Sequence, residues 1–237
     1  MSTTDTPASR IRLLCLDVDG VLTDGSILLD DEGHETKRFF VRDGTAIRAW
    51  QRAGGVVAII TGRGGRAVER RASELGIELV RTSVDRKGPV FDSLLGELGM
   101  TPEEAAMVGD DLPDLPVLER CGYPVAVRDA VAEVRAVARF VTEQPGGRGA
   151  VREVVEALLK SQGAWERVVA HHRDPMCRGI DAPDASNAGS GGSGRVRRRS
   201  WRTTTSATRG NDSTRGVGCP IASPCFWCSG VWRRPCC

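Results

Sequence analysis

Ile11-Arg-Leu-Leu-Cys-Leu16 runs directly into Asp17-Val-Asp19-Gly20-Val-Leu-Thr23, and this junction restricts the fold more than any other stretch of the chain. A short apolar run closed by a glycine turn reads as a buried strand of a parallel sheet. The carboxyl end of such a strand is where open α/β sheets place their ligands. Two carboxylates two residues apart at that end can share one small site. Like charges so close raise one another's pKa, and a cation between them relieves this. A hard cation with oxygen ligands, Mg²⁺, suits the donors. Asp17 is then both a ligand and a candidate nucleophile, and Asp19 is placed to move protons. On their own these seven residues also read as a polar turn, because Asp-Gly is an ordinary turn signal.

Further runs repeat the arrangement. Val56-Val-Ala-Ile-Ile60 ends at Thr61-Gly62-Arg63, and Ala105-Ala-Met-Val108 ends at Gly109-Asp110-Asp111. Pro124-Val-Ala-Val127 and Arg139-Phe-Val-Thr142 are shorter and suit outer strands. Residues 63–75, 87–98 and 114–120 show helical spacing and end in or beside glycine, and 149–160 reads as a final amphipathic helix. Strands alternating with helices predict an α/β fold with a parallel sheet. Residues 26–41 break the alternation: Ile27-Leu-Leu, then Asp30-Asp-Glu-Gly33, then Lys37-Arg-Phe-Phe-Val41 predict a hairpin with a polar turn. The stretches between Asp19 and the next helix, and between Thr61 and Lys87, are too short for an independent lid domain. The site is therefore open unless the hairpin or a neighbouring subunit covers it.

Charge and cysteine divide the chain of 237 residues. Residues 174–237 hold ten arginines, no lysine and four acids, which leaves 23 basic and 27 acidic residues in 1–173. That mildly acidic part does not advertise nucleic-acid binding. Only Cys15 and Cys121 precede position 174, without metal-ligand spacing, as in a reduced, cytoplasmic protein. The first ten residues have no apolar core of a signal peptide, and no run reaches membrane-spanning length. We place the domain at 10–163, a flexible N-terminus at 1–9, and a linker with a low-complexity, disordered tail at 164–237. Within that tail, Cys225-Phe-Trp-Cys228 has zinc-knuckle spacing, with Cys219, Cys236 and Cys237 nearby, but no helix or strand period surrounds it. The run 195–202 is basic; such runs are usually solvated and non-specific.

Asp17 and Asp19, Thr61, Lys87 at a helix start, and Asp110 with Asp111 and Asp114 supply what phosphoryl transfer to an aspartate requires. One carboxylate attacks phosphorus, and a second acid protonates the leaving oxygen and then deprotonates water. A hydroxyl, backbone N–H groups and a lysine hold the phosphoryl oxygens while a cation neutralises their charge. In their order, Asp17-Val-Asp-Gly-Val-Leu-Thr, Thr61-Gly-Arg, Lys87 and Gly109-Asp-Asp-Leu-Pro-Asp114 resemble the four motifs of haloacid-dehalogenase-type phosphatases. Phe40-Val41-Arg42-Asp43-Gly44, Ile59-Ile-Thr-Gly-Arg63 and Gly146-Gly-Arg-Gly-Ala-Val-Arg-Glu153 further resemble the capless 3-deoxy-D-manno-octulosonate 8-phosphate phosphatases of that superfamily, over about residues 10–163.

The resemblance implies a Rossmann-like sheet with helices on both faces. It implies Asp17 as nucleophile, Asp19 as acid/base, and Mg²⁺ held by Asp17, Asp110 and the backbone carbonyl of Asp19. Phosphate contacts fall to Thr61, Gly62 and Lys87. Substrate contacts fall to Asp19, to Phe40, Val41, Arg42, Asp43 and Gly44, and to Arg48, Arg63 and Arg71. Arginine forks suit the carboxylate of a sugar acid, and Arg63 and Arg71, eight apart, fall near one face of a predicted helix. Phe40 departs from relatives that carry a polar residue there. Asp114 either orients Lys87 or a metal-bound water, or caps the next helix. Arg148 and Arg152 are candidates for closing an active site, often a neighbour's, in a homotetramer. A neuraminate-type nine-carbon sugar-acid 9-phosphate is the alternative substrate, which the arginines do not separate from the octulosonate. A phospho-accepting receiver domain is a third reading, disfavoured because its acidic pair and phosphorylated Asp come in a different order.

Overall fold

The computed structural model describes residues 6–173. The zinc-knuckle and basic-run readings, and everything else expected of 174–237, lie outside the described residues. Six strands form one parallel sheet: β1 (Leu13–Leu16), β4 (Val56–Ile60), β5 (Leu79–Arg81), β6 (Ala105–Gly109), β7 (Tyr123–Ala126) and β8 (Phe140–Val141), in the order β5-β4-β1-β6-β7-β8. From β1 the chain winds outward through β4 to β5, then crosses back to β6 and proceeds to β8. The reversal falls beside β1, and a crevice opens at the carboxyl ends of strands at such a point.

β1 is central and buried at every position, and Leu16 pairs with Ile59 on one side and Val108 on the other. In that register Asp17, Thr61 and Asp110 all leave the sheet at the same edge. Between the strands lie α1 (Val41–Arg52), α2 (Arg66–Leu75), α3 (Lys87–Leu98), α4 (Leu115–Leu118) and α5 (Ala132–Val137), followed by α6 (Ala150–Ser161) and α7 (Trp165–Arg173). Right-handed crossovers put α1 and α2 on one face and α3, α4 and α5 on the other. Accordingly α1 packs on α6 and α2, while α4 packs on α3 and α5. Trp50 of α1 is fully buried, and its indole N–H donates to the carbonyl of Val56 at 3.0 Å. Phe91 and Leu94 of α3 are likewise sealed off; each such side chain contributes about 1.5–3 kcal/mol through burial.

The small hairpin joins β2 (Leu28–Leu29) to β3 (Glu35–Thr36). Asp30 shapes its turn by accepting from the N–H groups of Glu32 and His34 at 3.0 and 2.8 Å. The second strand therefore lies ahead of the 37–41 stretch read from sequence. Val41 instead opens α1, with Phe40 extended just before it. The structure adds β5, a half-buried edge strand, and the short α5, which no sequence pattern marks. Helix α7 begins at Trp165, within the segment assigned from sequence to the linker. Arg152 stacks on the Trp165 ring at 4.9 Å, and Trp165 packs against the core. No helix among the described residues is long and apolar enough to cross a membrane.

Candidate active site

Asp17 follows β1 directly, and Lys87 opens α3. The Lys87 ammonium donates to Asp17 Oδ1 at 2.7 Å and to Asp114 Oδ1 at 2.6 Å, with all three residues buried. The other oxygen of Asp114 accepts from the backbone N–H groups of Asp110 at 3.0 Å and Asp111 at 3.5 Å. Asp114 thus orients Lys87 and shapes the loop after β6. The next helical turn is capped by Asp111, whose side chain accepts from the Leu112 N–H. Asp114 takes both of the roles left open for it: one oxygen orients Lys87 and the other joins Asp111 in a reciprocal cap of that turn.

Asp110 lies against Gly20. Gly20 has φ +92°, and a Cβ there would fall 2.0 Å from Asp110 Oδ2, so only glycine allows this approach. The loop before α6 closes on the same turn: a Cβ on Gly146 would fall 1.7 Å from the Gly20 carbonyl oxygen. That loop therefore reaches the turn after β1 within one chain.

Asp17, Asp110 and Asp114 each offer an oxygen within 4.8 Å of the others'. Burial, then the nearby carboxylate of Asp114, raises Asp17 above the ordinary carboxylate range, with Lys87 pulling the other way. Burial followed by Asp17, Asp114 and Asp111 pushes Asp110 up to about 8. Burial works against the Lys87 charge, but Asp114 and Asp17 outweigh it and hold Lys87 above its ordinary value. Asp110 Oδ1 is buried with no hydrogen-bond partner among the described residues. An orphaned carboxylate oxygen beside two more carboxylates is the donor set of a hard divalent cation. Since both oxygens of Asp114 are occupied, Asp17 and Asp110 are the side chains free to bind one.

Thr61 is buried at the end of β4, and its hydroxyl accepts from the Arg63 N–H at 3.3 Å; Gly62 beside it is exposed. Asp19 points to the hairpin rather than to the other carboxylates. Its Oδ1 accepts from Lys37, and Arg63 Nε lies 3.7 Å from its Oδ2. Neither Lys37 nor its partner Glu35 carries a motif. The sequence signal was their spacing of two, which puts both on one side of an extended segment.

Several predicted substrate contacts meet other partners. Arg63 precedes α2, which starts only at Arg66, so it does not share a helix face with Arg71. Arg71 lies against Gly44 and pairs with Glu74 at 3.5 Å. Arg48 donates to the Glu74 carbonyl near the end of α2, where an orphan acceptor is expected. Asp43 is buried in the first turn of α1 and accepts from the Arg152 N–H at 2.8 Å, serving the N-terminus of α6. Burial pushes Asp43 up to about 6, with the Arg152 and Gly149 N–H groups opposing. Phe40, Arg42, Arg148 and Arg152 line a cavity of about 450 Å³, and no carboxylate of the Asp17 cluster is in its wall. Val41 is exposed.

Comparison with known proteins supplies the relatives. A family model described as haloacid dehalogenase-like hydrolase matches residues 77–154. The 3-deoxy-D-manno-octulosonate 8-phosphate phosphatase of Salmonella typhi is 49% identical over 158 residues, 67% of this chain and 84% of that one. The solved structure of the Moraxella catarrhalis enzyme of that name, in complex with magnesium, phosphate and KDO, superposes with TM-score 0.69 and 41% identity, covering 70% of this chain and 95% of its own. The cobalt-bound Haemophilus influenzae phosphatase gives TM-score 0.66 and 37% identity over 68% of this chain and 94% of its own.

Proposed function

The chain belongs to the 3-deoxy-D-manno-octulosonate 8-phosphate phosphatase family of haloacid dehalogenase-like hydrolases and is a phosphoric monoester hydrolase; from that premise we propose that it releases phosphate from 3-deoxy-D-manno-octulosonate 8-phosphate through an aspartyl-phosphate on Asp17. One observation carries the assignment of roles: Lys87 ties the Asp17 carboxylate to Asp114 beside the orphaned oxygen of Asp110. Asp17, with one oxygen held by Lys87, turns the other to phosphorus. As the new O–P bond forms, the bond from phosphorus to the sugar oxygen breaks, and Asp19 gives that oxygen a proton. Asp19 then takes a proton from water, which attacks the phosphoaspartate, and inorganic phosphate leaves. The Lys87 ammonium, the Thr61 hydroxyl and the backbone around Gly62 hold the phosphoryl oxygens. Asp17, Asp110 and the Asp19 carbonyl would hold Mg²⁺, which would further neutralise the phosphoryl charge.

Arg63, exposed beside Asp19, is the arginine best placed in its own chain to receive the substrate carboxylate. Cys15 and Cys121, both free, fit a reducing cytoplasm. Phosphate release from a panel of sugar-acid phosphates, with and without Mg²⁺, tests the assignment. The octulosonate 8-phosphate is expected to be the best substrate; preference for a neuraminate-type 9-phosphate would move this chain to the alternative.

The metal proposal has a readout apart from turnover. Asp110, held at about 8 against an ordinary carboxylate near 4, is neutral in both folded and unfolded chains below about pH 4. As pH rises through its folded value, the metal-free fold must accept that charge and loses stability. Mg²⁺ should therefore raise the melting temperature several degrees more near pH 8 than near pH 5. Equal shifts at both would contradict the assignment of Asp110.

Ile27, Leu28 and Leu29 form an apolar stretch on the hairpin, exposed by 56%, 49% and 64%. We propose that it packs between subunits of a homotetramer, in which the cavity bearing Arg42, Arg148 and Arg152 faces a neighbour's site. Solution mass should report four chains, and Arg148→Ala should raise KM roughly ten- to hundredfold, as for loss of a charge-assisted contact. An active monomer whose Arg148→Ala variant matches the parent removes both parts.

A further inference from the structure

Asp19 sits in a closed ring of alternating charge. Lys37 Nζ bonds Asp19 Oδ1 and lies 2.9 Å from Glu35 Oε1; Glu35 Oε2 accepts from Arg63 at 3.2 Å; Arg63 Nε returns to Asp19 Oδ2 at 3.7 Å. The members are unequal. The Lys37 side chain is 3% exposed and Arg63 46%, so the first is enclosed and the second is free to follow a ligand. Asp19 Oδ2 is buried, with Arg63 beside it and no hydrogen-bond partner among the described residues, whereas Oδ1 is taken. A carboxylate gripped at Oδ1 keeps one orientation, so when the exposed Arg63 turns to a ligand it uncovers a single oxygen, Oδ2, for proton transfer.

We infer that Lys37 is the positioning residue of the acid/base step, fixing Asp19 through Oδ1 so that Oδ2 faces the leaving oxygen and then the attacking water. This rests on the reading of Asp19 as acid/base and extends it to a residue of the hairpin. Lys37 follows directly on β3. Placed there, it makes the geometry of proton transfer depend on how the hairpin sits, although Lys37 touches none of the reacting atoms. A two-stranded hairpin is marginal alone, and the ring ties it to the catalytic turn.

The leaving group separates positioning from general damage. A sugar alkoxide needs the proton from Asp19; a nitrophenolate leaves without it. In the full chain with Mg²⁺, Lys37→Met should lower kcat on the octulosonate phosphate about a hundredfold, as for a misplaced catalytic group, with KM within about threefold. Single-turnover release of nitrophenol from p-nitrophenyl phosphate should fall less than about tenfold, because this step bypasses the proton. Lys37→Arg should recover most of the sugar-phosphate rate, and Lys37→Met should add nothing to Asp19→Asn. Equal losses on both leaving groups, additive losses with Asp19→Asn, or a parent-like Lys37→Met would overturn the inference. Should Lys37→Met fail to fold, Lys37→Gln, which keeps a donor for Oδ1, should show the same split at smaller size, and no split would be decisive against it. A parent-like Asp19→Asn would instead remove the acid/base reading beneath.

Discussion

Asp17→Asn yields a folded protein that releases essentially no phosphate, a loss of at least about 10⁴-fold on the scale of nucleophile removals. A neutral amide has no electron pair basic enough to attack phosphorus, so Lys87 and Asp114 remain in place around an inert centre. Stability should not suffer in proportion. The raised pKa of Asp17 means that its ionised form is held at a cost, set first by burial and then by Asp114. Removing that charge relieves Asp110 as well, for which Asp17 is the largest charged neighbour. The metal-free variant should therefore melt at or above the parent's temperature. Turnover within tenfold of the parent would end the nucleophile assignment.

Lys87→Met has the opposite signature, losing both fold stability and activity. Lys87 is the shared partner of two buried carboxylates, at 2.7 and 2.6 Å, and the thioether gives neither a donor. Stripping one partner from a buried ion pair costs about 3–5 kcal/mol, a fall in melting temperature on the order of 10 °C for a domain of this size. The loss should shrink toward pH 5, where Asp17, raised to about 6 chiefly by burial, takes a proton and escapes the uncompensated charge. Calorimetry across pH checks both the size and the trend. A melting temperature unchanged near pH 8 would show that the bridge contributes nothing to folding.

The strand ends were legible because burial writes them as continuous apolar runs, as at Leu13–Leu16 and Ala105–Gly109, with the polar residue marking the edge. Lys87–Leu98 was read to the residue, since Gly99 in the left-handed region ends it. Leu79–Arg81 escaped because an edge strand that is only half-buried needs no such run. The partners of the arginines within the chain escape the sequence for a different reason. Their forks answer to whichever carbonyl or carboxylate the fold brings near: the end of α2 for Arg48, Glu35 and Asp19 for Arg63. Asp43 lies inside a stretch shared with the resembling family, yet its bond reaches across 109 positions to Arg152, a distance no local pattern records. The spacing of Lys37 from Glu35 does not say which residue they meet, for the same cause. Its importance exists only once the hairpin folds back over Asp19.

Phosphorus is expected to pass through the Asp17 carboxylate, where it can be trapped. Asp19→Asn is mixed with Mg²⁺ and p-nitrophenyl phosphate radiolabelled at phosphorus, whose leaving group needs no proton from Asp19 while release by water still does; the mixture is quenched in acid within the first turnover and digested. Acid-stable label is expected on the peptide spanning Asp17, at close to one equivalent per chain, and none when Asp17 is also replaced by Asn. Label on another residue, or phosphate released with no labelled protein at any time, would contradict it.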